Sequence, residues 1–410
     1  MAESIDHADW AGEATPGSAS QSGRAVSAPA YVAARGHIAF TLSGLGPGGA
    51  ERVVSILANA MVKRGWRVSI ISFAHSATSP YYPYEPEVER INLGLPPERR
   101  SWVTGKLRVV ARTIRMRQAL RQLRPDVVLS FLARTNIIVL LATIGMTVPV
   151  VVSVRNNPNV QKFGPIWSFL RVVLYPRAFG VVTMTQGAMD FFPKWMRRRE
   201  WIIPNPVLLV PPVQRPPSDM KVVTAVGRLV PQKGFDLLLQ AFARIADRYP
   251  AWTMVIWGEG PERGALERDI ARLGLEGRVR LPGVSLTPGS WVNGADLFVL
   301  SSRYEGWGNV LLEALAAGIP AVSFDCPWGP GLMIEEGVNG LLAAPEDIPA
   351  LADKLALLMR DPDLRVRLGA EARRSAEHYA PARIVAAWEG LVETALAQGK
   401  QGGLPISAES

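Results

Sequence analysis

Apolar positions in this chain follow two alternating patterns: short unbroken runs, and longer stretches in which they recur every three or four residues. "HIAFTL" (37–42) is a run of the first kind and leads through the glycine-rich "SGLGPGG" into "AERVVSILANAMVKRG". There Val53, Val54, Leu57, Ala58 and Met61 recur at helical spacing until Gly65 ends the segment. "RVSIISF" follows as a second strand, so a strand–loop–helix–strand unit is expected, with its loop as the place to look for function. "DVVLSFL" (126–132) and "PVVVSV" (149–154) continue as strands covered on both faces, where a strand reads as one apolar run.

Thr135 to Val154 carries no charge, which is long enough to raise the question of a membrane span. Gly145 and Pro149 interrupt it, and it reads instead as a buried helix, a turn and a buried strand. "PNPVLLVPPVQRPP" (204–217) holds six prolines, too many for the interior of an element, and predicts a linker over 204–220. Beyond it the alternation restarts. "VVTAVGRL" is a strand and "GFDLLLQAFARIADRYP" a helix with Phe235, Leu238, Leu239, Phe242 and Ile245 inward. "WTMVIWGEG", "ALERDIARLG", "VRLPG", "DLFVLSS" and "PAVSF" then give strand, helix, strand, strand and strand. The fold class is α/β: two doubly wound, Rossmann-like domains, at 36–203 and 221–380, facing a central cleft. A final helix is expected over 381–398, with Ile384, Val385, Trp388 and Leu391 on one face. Residues 1–35, rich in Ala, Ser, Gly and Pro, are expected to form a disordered extension, and 399–410 a disordered tail.

Composition narrows the class. With 410 residues, 48% of them hydrophobic, the chain can bury ample core. Its one cysteine, Cys326, excludes an intramolecular disulfide framework and suits a reducing cytoplasm. The net charge of +9 is unevenly spread. Arg99 to Arg124 contains nine Arg and Lys residues and no acid, interleaved with apolar positions that fall in two stripes on a helical wheel. Such a helix packs its domain with one stripe and meets an anionic membrane with the other, or is simply a solvated helix of a basic protein. "FFPKWMRRREW" (191–201) mixes aromatics with Lys194 and Arg197 to Arg199, as headgroup-contacting segments do. No nucleic-acid recognition motif is present, so no nucleic-acid partner is expected.

The densest candidate chemistry is "RYEGWGNVLLEALAAGIPAVS" (303–323), where Glu305 and Glu313 stand eight positions apart. If a helix starts at Asn309, the amides around Gly308, Asn309 and Val310 attract an anion, phosphate above all. In "GRLVPQKG", Arg228 and Lys233 supply compensating cations, while the glutamates accept hydrogen bonds from hydroxyls. A diphosphate flanked by two polyols fits, which describes a nucleotide sugar. Trp307 and Trp328 either wall the cleft or pack beneath it.

"GRLVPQKGFDLLLQAF", "GEGPERGALE", "SSRYEGWGNVLLEALAAGIPAV" and "GVNGLL", in that order, resemble the retaining glycosyltransferases of family 4, which have the GT-B fold. "GPGGAERVVSILANAMVKRG" and "FDCPWGP" resemble the branch that builds bacterial capsule, exopolysaccharide or N-glycan precursors, including amylovoran-type and N-acetylgalactosaminyl transferases. The resemblance implies that Glu305 contacts the donor sugar near the reacting carbon and Glu313 the donor ribose. It implies that Arg228 and Lys233 hold the diphosphate and stabilise the departing charge, and that the amides of Asn309, Val310 and Leu311 complete the cradle. Gly48 and Gly49 would let their loop approach the phosphates, and Glu51 and Arg52 would face the cleft at the start of the following helix. The last helix would cross back to the first domain.

One departure stands out. Many relatives carry a histidine after the strand that here reads "DVVLSFLARTN", and none lies there; Arg134, Thr135, Asn136, or Arg155 and Asn156 of "SVRNNPN" are the candidates on the acceptor side. The D-x-D at Asp361 and Asp363 reads as a turn at a helix end, so no metal and no cofactor are expected. The expected partners are a nucleotide-sugar donor, by resemblance UDP-linked, and a lipid-linked glycan acceptor. The expected place is the cytoplasm, peripheral on the inner face of the membrane. A GDP-mannose-dependent transferase of the same fold, a nucleotide-sugar epimerase and a non-catalytic surface-binding protein are the alternatives. The epimerase would need acid and histidine residues in the cleft.

Overall fold

The computed structural model describes residues 35–75, 77–95, 102–161, 163–209 and 220–400. The extension assigned to 1–35, the tail at 399–410, most of the linker and the start of the basic segment at 99–101 fall outside these, apart from Arg35, Met220, 204–209, Gly399 and Lys400.

Two sheets, all parallel, are described. The first runs through β1 (His37–Leu42), α1 (Gly49–Lys63), β2 (Arg67–Ser72), β3 (Glu89–Asn92), α2 (Trp102–Leu123), β4 (Val127–Phe131), α3 (Ala133–Ala142), β5 (Val150–Ser153), α4 (Pro165–Leu174), β6 (Gly180–Thr183), α5 (Gln186–Asp190) and β7 (Glu200–Ile202). Its strand order is β3-β2-β1-β4-β5-β6-β7. The second comprises β8 (Lys221–Val226), α6 (Phe235–Ala243), β9 (Trp252–Trp257), α7 (Arg263–Arg272), β10 (Val279–Gly283), β11 (Leu297–Leu300), α8 (Asn309–Ala316), β12 (Ala321–Phe324) and β13 (Leu341–Ala343), followed by α9 (Ile348–Arg360) and α10 (Pro362–Ala376). Its order is β10-β9-β8-β11-β12-β13.

Both orders reverse direction once, between β1 and β4 and between β8 and β11. Loops leaving neighbouring strands there go to opposite faces and open a crevice at the carboxyl ends. Helices cover both faces of each sheet. This is why β1, β4, β5, β6, β11 and β12 are buried along their whole length, as the unbroken apolar runs predict. The uncharged stretch from Thr135 divides as expected into the buried α3, a turn through Gly145 and β5. The helix expected over 234–250 is shorter: α6 stops at Ala243 and a 3-10 turn occupies Ala246–Arg248, yet all five of its inward residues are buried.

The last helix, α11 (Pro381–Lys400), extends two residues past its expected end and packs on the first sheet beside α1 and β4. Its Trp388 is fully buried, with its ring stacked on Phe131 at 5.5 Å. Glu389 accepts from Trp66 Nε1 at 2.9 Å and from Arg64 at 2.7 Å, which holds the helix to the turn after α1. Removing the anchor leaves a cavity between helix and sheet. Trp388→Ala is expected to destabilise the protein by about 4 kcal/mol, seen as a lower midpoint in chemical denaturation; an unchanged midpoint would show that α11 is not needed to hold the first sheet.

Candidate active site

The loops at the two switch points line one cleft of about 840 Å³. From the first sheet come Gly46–Glu51 after β1, Leu132 after β4 and Arg155–Asn157 after β5; from the second come Gly227, Arg228, Gln232 and Lys233 after β8 and Tyr304–Val310 after β11. Asn205, at the entry to the linker, completes the floor.

The end of the cleft expected to take phosphate is built by α8. Gly308 precedes it with φ of 95°, a left-handed conformation that a side chain would strain. From there the chain enters a helix whose first amides, Asn309 and Val310, have no intrahelical acceptor and border the cleft. Leu311, expected to share in the cradle, does not: its amide donates to Gly308 O at 3.0 Å and its side chain is buried in the core. Arg228 is exposed on the same cleft wall, within electrostatic reach of the Glu51 carboxylate. Lys233 Nζ lies 2.6 Å from Glu305 Oε1, which also accepts from Ser302 Oγ at 2.6 Å. Glu305 is therefore held in one orientation at the cleft edge, with a cation beside it. Burial pushes the neighbouring Cys326 thiol up to about 12, and Glu305 nearby adds to this, so the thiol stays protonated at neutral pH.

Glu313 and Arg52 are not on the cleft wall. Arg52 crosses from α1 to the second sheet's side and its Nε meets Glu313 Oε1 at 3.0 Å, with both side chains largely buried. Burial, the leading cause, pushes the Glu313 carboxyl up, and Arg52 opposes this. A carboxylate with so little access to water requires a cation, which is why the two are paired across the lobes.

The glycine pair is approached closely by side chains of this chain. Both residues line the cleft, but the space a side chain would take at Gly48 is filled by the Glu51 carboxylate, and that at Gly49 by the Asn309 side chain. Glu51 thus folds back over the start of its own helix, where its charge complements the dipole. Burial is the largest influence on its carboxyl and raises it, against its own amide and Arg228.

On the acceptor side Arg155 is a structural cation. Its guanidinium lies beside the stacked rings of Phe131 and Trp388, 5.3 and 5.1 Å from their centres, and donates to Ser153 Oγ at 2.6 Å and to Asn205 Oδ1 at 2.7 Å. Burial holds it down at about 9, so it remains charged at neutral pH. Asn156 is exposed and lines the cleft, and its backbone approaches Gly306 so closely that a Cβ there would clash. No polar group replaces the histidine after β4: Thr135 and Asn136 are buried, Asn136 binding Ser153 O, while Arg134 stacks on Trp167 outside the cleft. The wall there is Leu132, at φ of 75°. Trp307 does both things proposed for it, packing edge-on to Tyr379 and bordering the cleft. Asp361 caps α10 by accepting from Leu364 N at 2.8 Å. Among the described residues no three His, Cys, Asp or Glu side chains gather. Sequence reasoning missed Asn205, whose only signal is a lone amide between two prolines.

Comparison with known proteins agrees with this architecture. Residues 48–206 match the family described as Glycosyl transferase 4-like domain, and 210–375 that described as Glycosyl transferases group 1. A Campylobacter jejuni enzyme, the alpha-1,4-N-acetyl-D-galactosaminyltransferase acting on GalNAc-alpha-(1->4)-GalNAc-alpha-(1->3)-diNAcBac-PP-undecaprenol, is 30% identical over 361 residues, covering 87% of this chain and 98% of its own. A glycosyltransferase of Haemophilus influenzae is 25% identical, covering 87% and 99%. Among solved structures, sucrose-phosphate synthase from Thermosynechococcus elongatus superposes with a TM-score of 0.76 at 20% identity, covering 89% of this chain and all of that one. Anabaena HepE, in complex with UDP and glucose, gives 0.70 at 20%, covering 88% and 100%. The chain belongs to this glycosyltransferase family and has the GT-B fold.

The Arg52–Glu313 pair yields a direct test. Arg52→Ala leaves a buried carboxylate unpaired and is expected to cost about 3 kcal/mol, while the double variant with Glu313→Gln recovers much of the loss. Equal stability of the two variants in thermal melts would show that the pair is not coupled.

Proposed function

We propose that this protein is a retaining, metal-independent transferase that moves a hexose or N-acetylhexosamine from a UDP-sugar to a lipid-linked glycan during synthesis of a bacterial surface polysaccharide, at the cytoplasmic face of the membrane. The observation that carries this reading is the convergence, in one cleft, of the exposed Arg228, the Lys233–Glu305 pair and the free amides of Asn309 and Val310. Arg228 and the helix-start amides give this space positive potential that suits a diphosphate, and Lys233, beside Glu305, adds a donor to it; together they do there what a divalent ion would otherwise do.

In this reading the cations and amides take the diphosphate, and Glu305 takes a hydroxyl of the sugar. The acceptor oxygen bonds to the anomeric carbon on the face from which the diphosphate leaves. The acceptor's hydroxyl proton passes to the leaving diphosphate oxygen, giving UDP and the extended glycan. Two facts support this route. The only carboxylates lining the cleft among the described residues are Glu305, tied to Lys233, and Glu51, folded on its helix, so neither stands as a free base. Asn156 is the exposed polar group on the acceptor side. UDP is favoured by the HepE complex, and a lipid-linked acceptor by the Campylobacter relative, each by similarity.

The test is thermal stabilisation by UDP, GDP and their sugars in EDTA. At 100 times its dissociation constant, a ligand adds about 2.7 kcal/mol. UDP species are expected to stabilise the wild type, Arg228→Ala to abolish the effect, and Glu305→Ala to keep UDP binding while losing transfer. A preference for GDP would turn the reading to a mannosyl-type donor, and no response from folded protein would overturn it.

A further inference from the structure

Helix α4 is apolar nearly all the way round: of the ten residues in "PIWSFLRVVL" only Ser168 and Arg171 are polar. A helix of that kind is covered by protein or by lipid. One side of α4 is accounted for. Trp167, Leu170 and Leu174 join the core on one face of the first sheet, and Arg171 folds onto the rings of Phe163, Phe191 and Phe192. The other side is bare, with Ile166, Phe169, Val172 and Val173 exposed by 54, 66, 41 and 50%. Their spacing of three and four positions puts them in one stripe.

α2 repeats the arrangement. Met116, Ala119, Leu120 and Leu123 enter the same core, while Leu107, Val110 and Ile114 are exposed. The mostly buried α3 packs against both helices, so the two bare stripes lie on the same side of the sheet. The stretch of sequence that holds these helices carries charge of one sign. Between Glu98 and Asp126 stand nine basic residues and no acid, and between Asp126 and Asp190 five more and again no acid. Arg115, Arg134 and Arg177 are exposed. By contrast, the cluster at 191–201 is mostly turned inward. Phe192 and Met196 are buried, Arg199 stacks on Phe179, and Arg197 binds Phe192 O, leaving Lys194, Trp195 and Arg198 outward.

We propose that α4, flanked by α2, is the element that docks this protein on a bilayer rich in anionic phospholipid, inserting Ile166, Phe169, Val172 and Val173 below the headgroups while the surrounding arginines meet the phosphates. Apolar insertion and a basic surround together make the two-part anchor that gives stable peripheral binding. A second copy of the chain fits less well, because a symmetric contact would set the same basic surfaces against each other. The docking element also adjoins the site. Asn157, Val160 and Gln161 line the cleft, and α4 begins at Pro165, so a lipid-bound acceptor reaching the cleft along this loop need not leave the membrane. Only this last point rests on the lipid-linked acceptor proposed above.

The full chain is mixed with vesicles of phosphatidylcholine, alone or with phosphatidylglycerol, and the bound fraction read by flotation. Binding is expected only to the anionic vesicles and to weaken with added salt. Phe169→Asp/Val173→Asp should reduce it by about tenfold or more, while Leu286→Asp, at an almost wholly exposed leucine of the second lobe, should not. Stabilisation by UDP in each variant reports folding and tests the donor reading separately. No binding by the wild type, or equal binding by the α4 variant, would overturn the proposal. So would a dimer in sedimentation that the α4 variant splits, which would make this face a contact between copies.

Discussion

The amide side chain of Asn309 joins the two halves of the molecule at the mouth of the cleft. Its oxygen accepts from Asn205 Nδ2 at 2.6 Å and its nitrogen donates to Gly49 O at 3.1 Å, so one residue binds the linker entry and the glycine loop together. The geometry upstream depends on it. Asn205 is itself held by Arg155, and Arg155 packs against the stacked pair of Phe131 and the Trp388 that α11 brings back from the end of the chain. A continuous set of contacts thus runs from the last helix to the first amides of α8. The start of α8 attracts anions only if its amides face open space, and that requires Gly308 in its left-handed turn and Asn309 held aside.

Charge is arranged around this frame by burial. Among the described residues Arg155 forms no ion pair; it is balanced by two aromatic rings and three acceptors, an arrangement that suits a delocalised guanidinium better than an ammonium. Glu313 could not be left alone at its depth and has Arg52. Glu305 has Lys233. After these pairings Arg228 is the exposed cation on the wall. The local excess of positive charge is what makes a diphosphate sugar a fitting ligand for a family member whose cleft gathers no metal-ligand cluster among its described residues.

Much of this was legible in the sequence. β1, β4 and β5 are continuous apolar runs because both faces of a parallel sheet are covered, and α1 and α6 show their buried faces by period alone. The α8 start was readable from a glycine before a helix-forming run, and Arg228 and Lys233 from their place after a strand. Other features were misread for one reason, that a side chain's partner lay outside its own segment. Leu311 spends its amide on Gly308. Arg155 turns from the acceptor side into the core, and the aromatics of 191–201 close over Arg171. The stripe on α4 could not be told from core in the sequence, because exposed and buried apolar residues share the same ten-residue segment.

The sequence by itself determined the alternation of strands and helices, the position of the break between two sheets, and the residue types that could bind a diphosphate, since these depend on neighbours within a few positions. Only the tertiary structure decided which of those residues face the cleft. Asn309 and Gly49 are 260 positions apart, and no local period records that they meet. Whether Glu313 faces a ligand or Arg52, and whether an apolar stripe is core or surface, depends on burial. Burial is a property of the assembled layers rather than of any one segment.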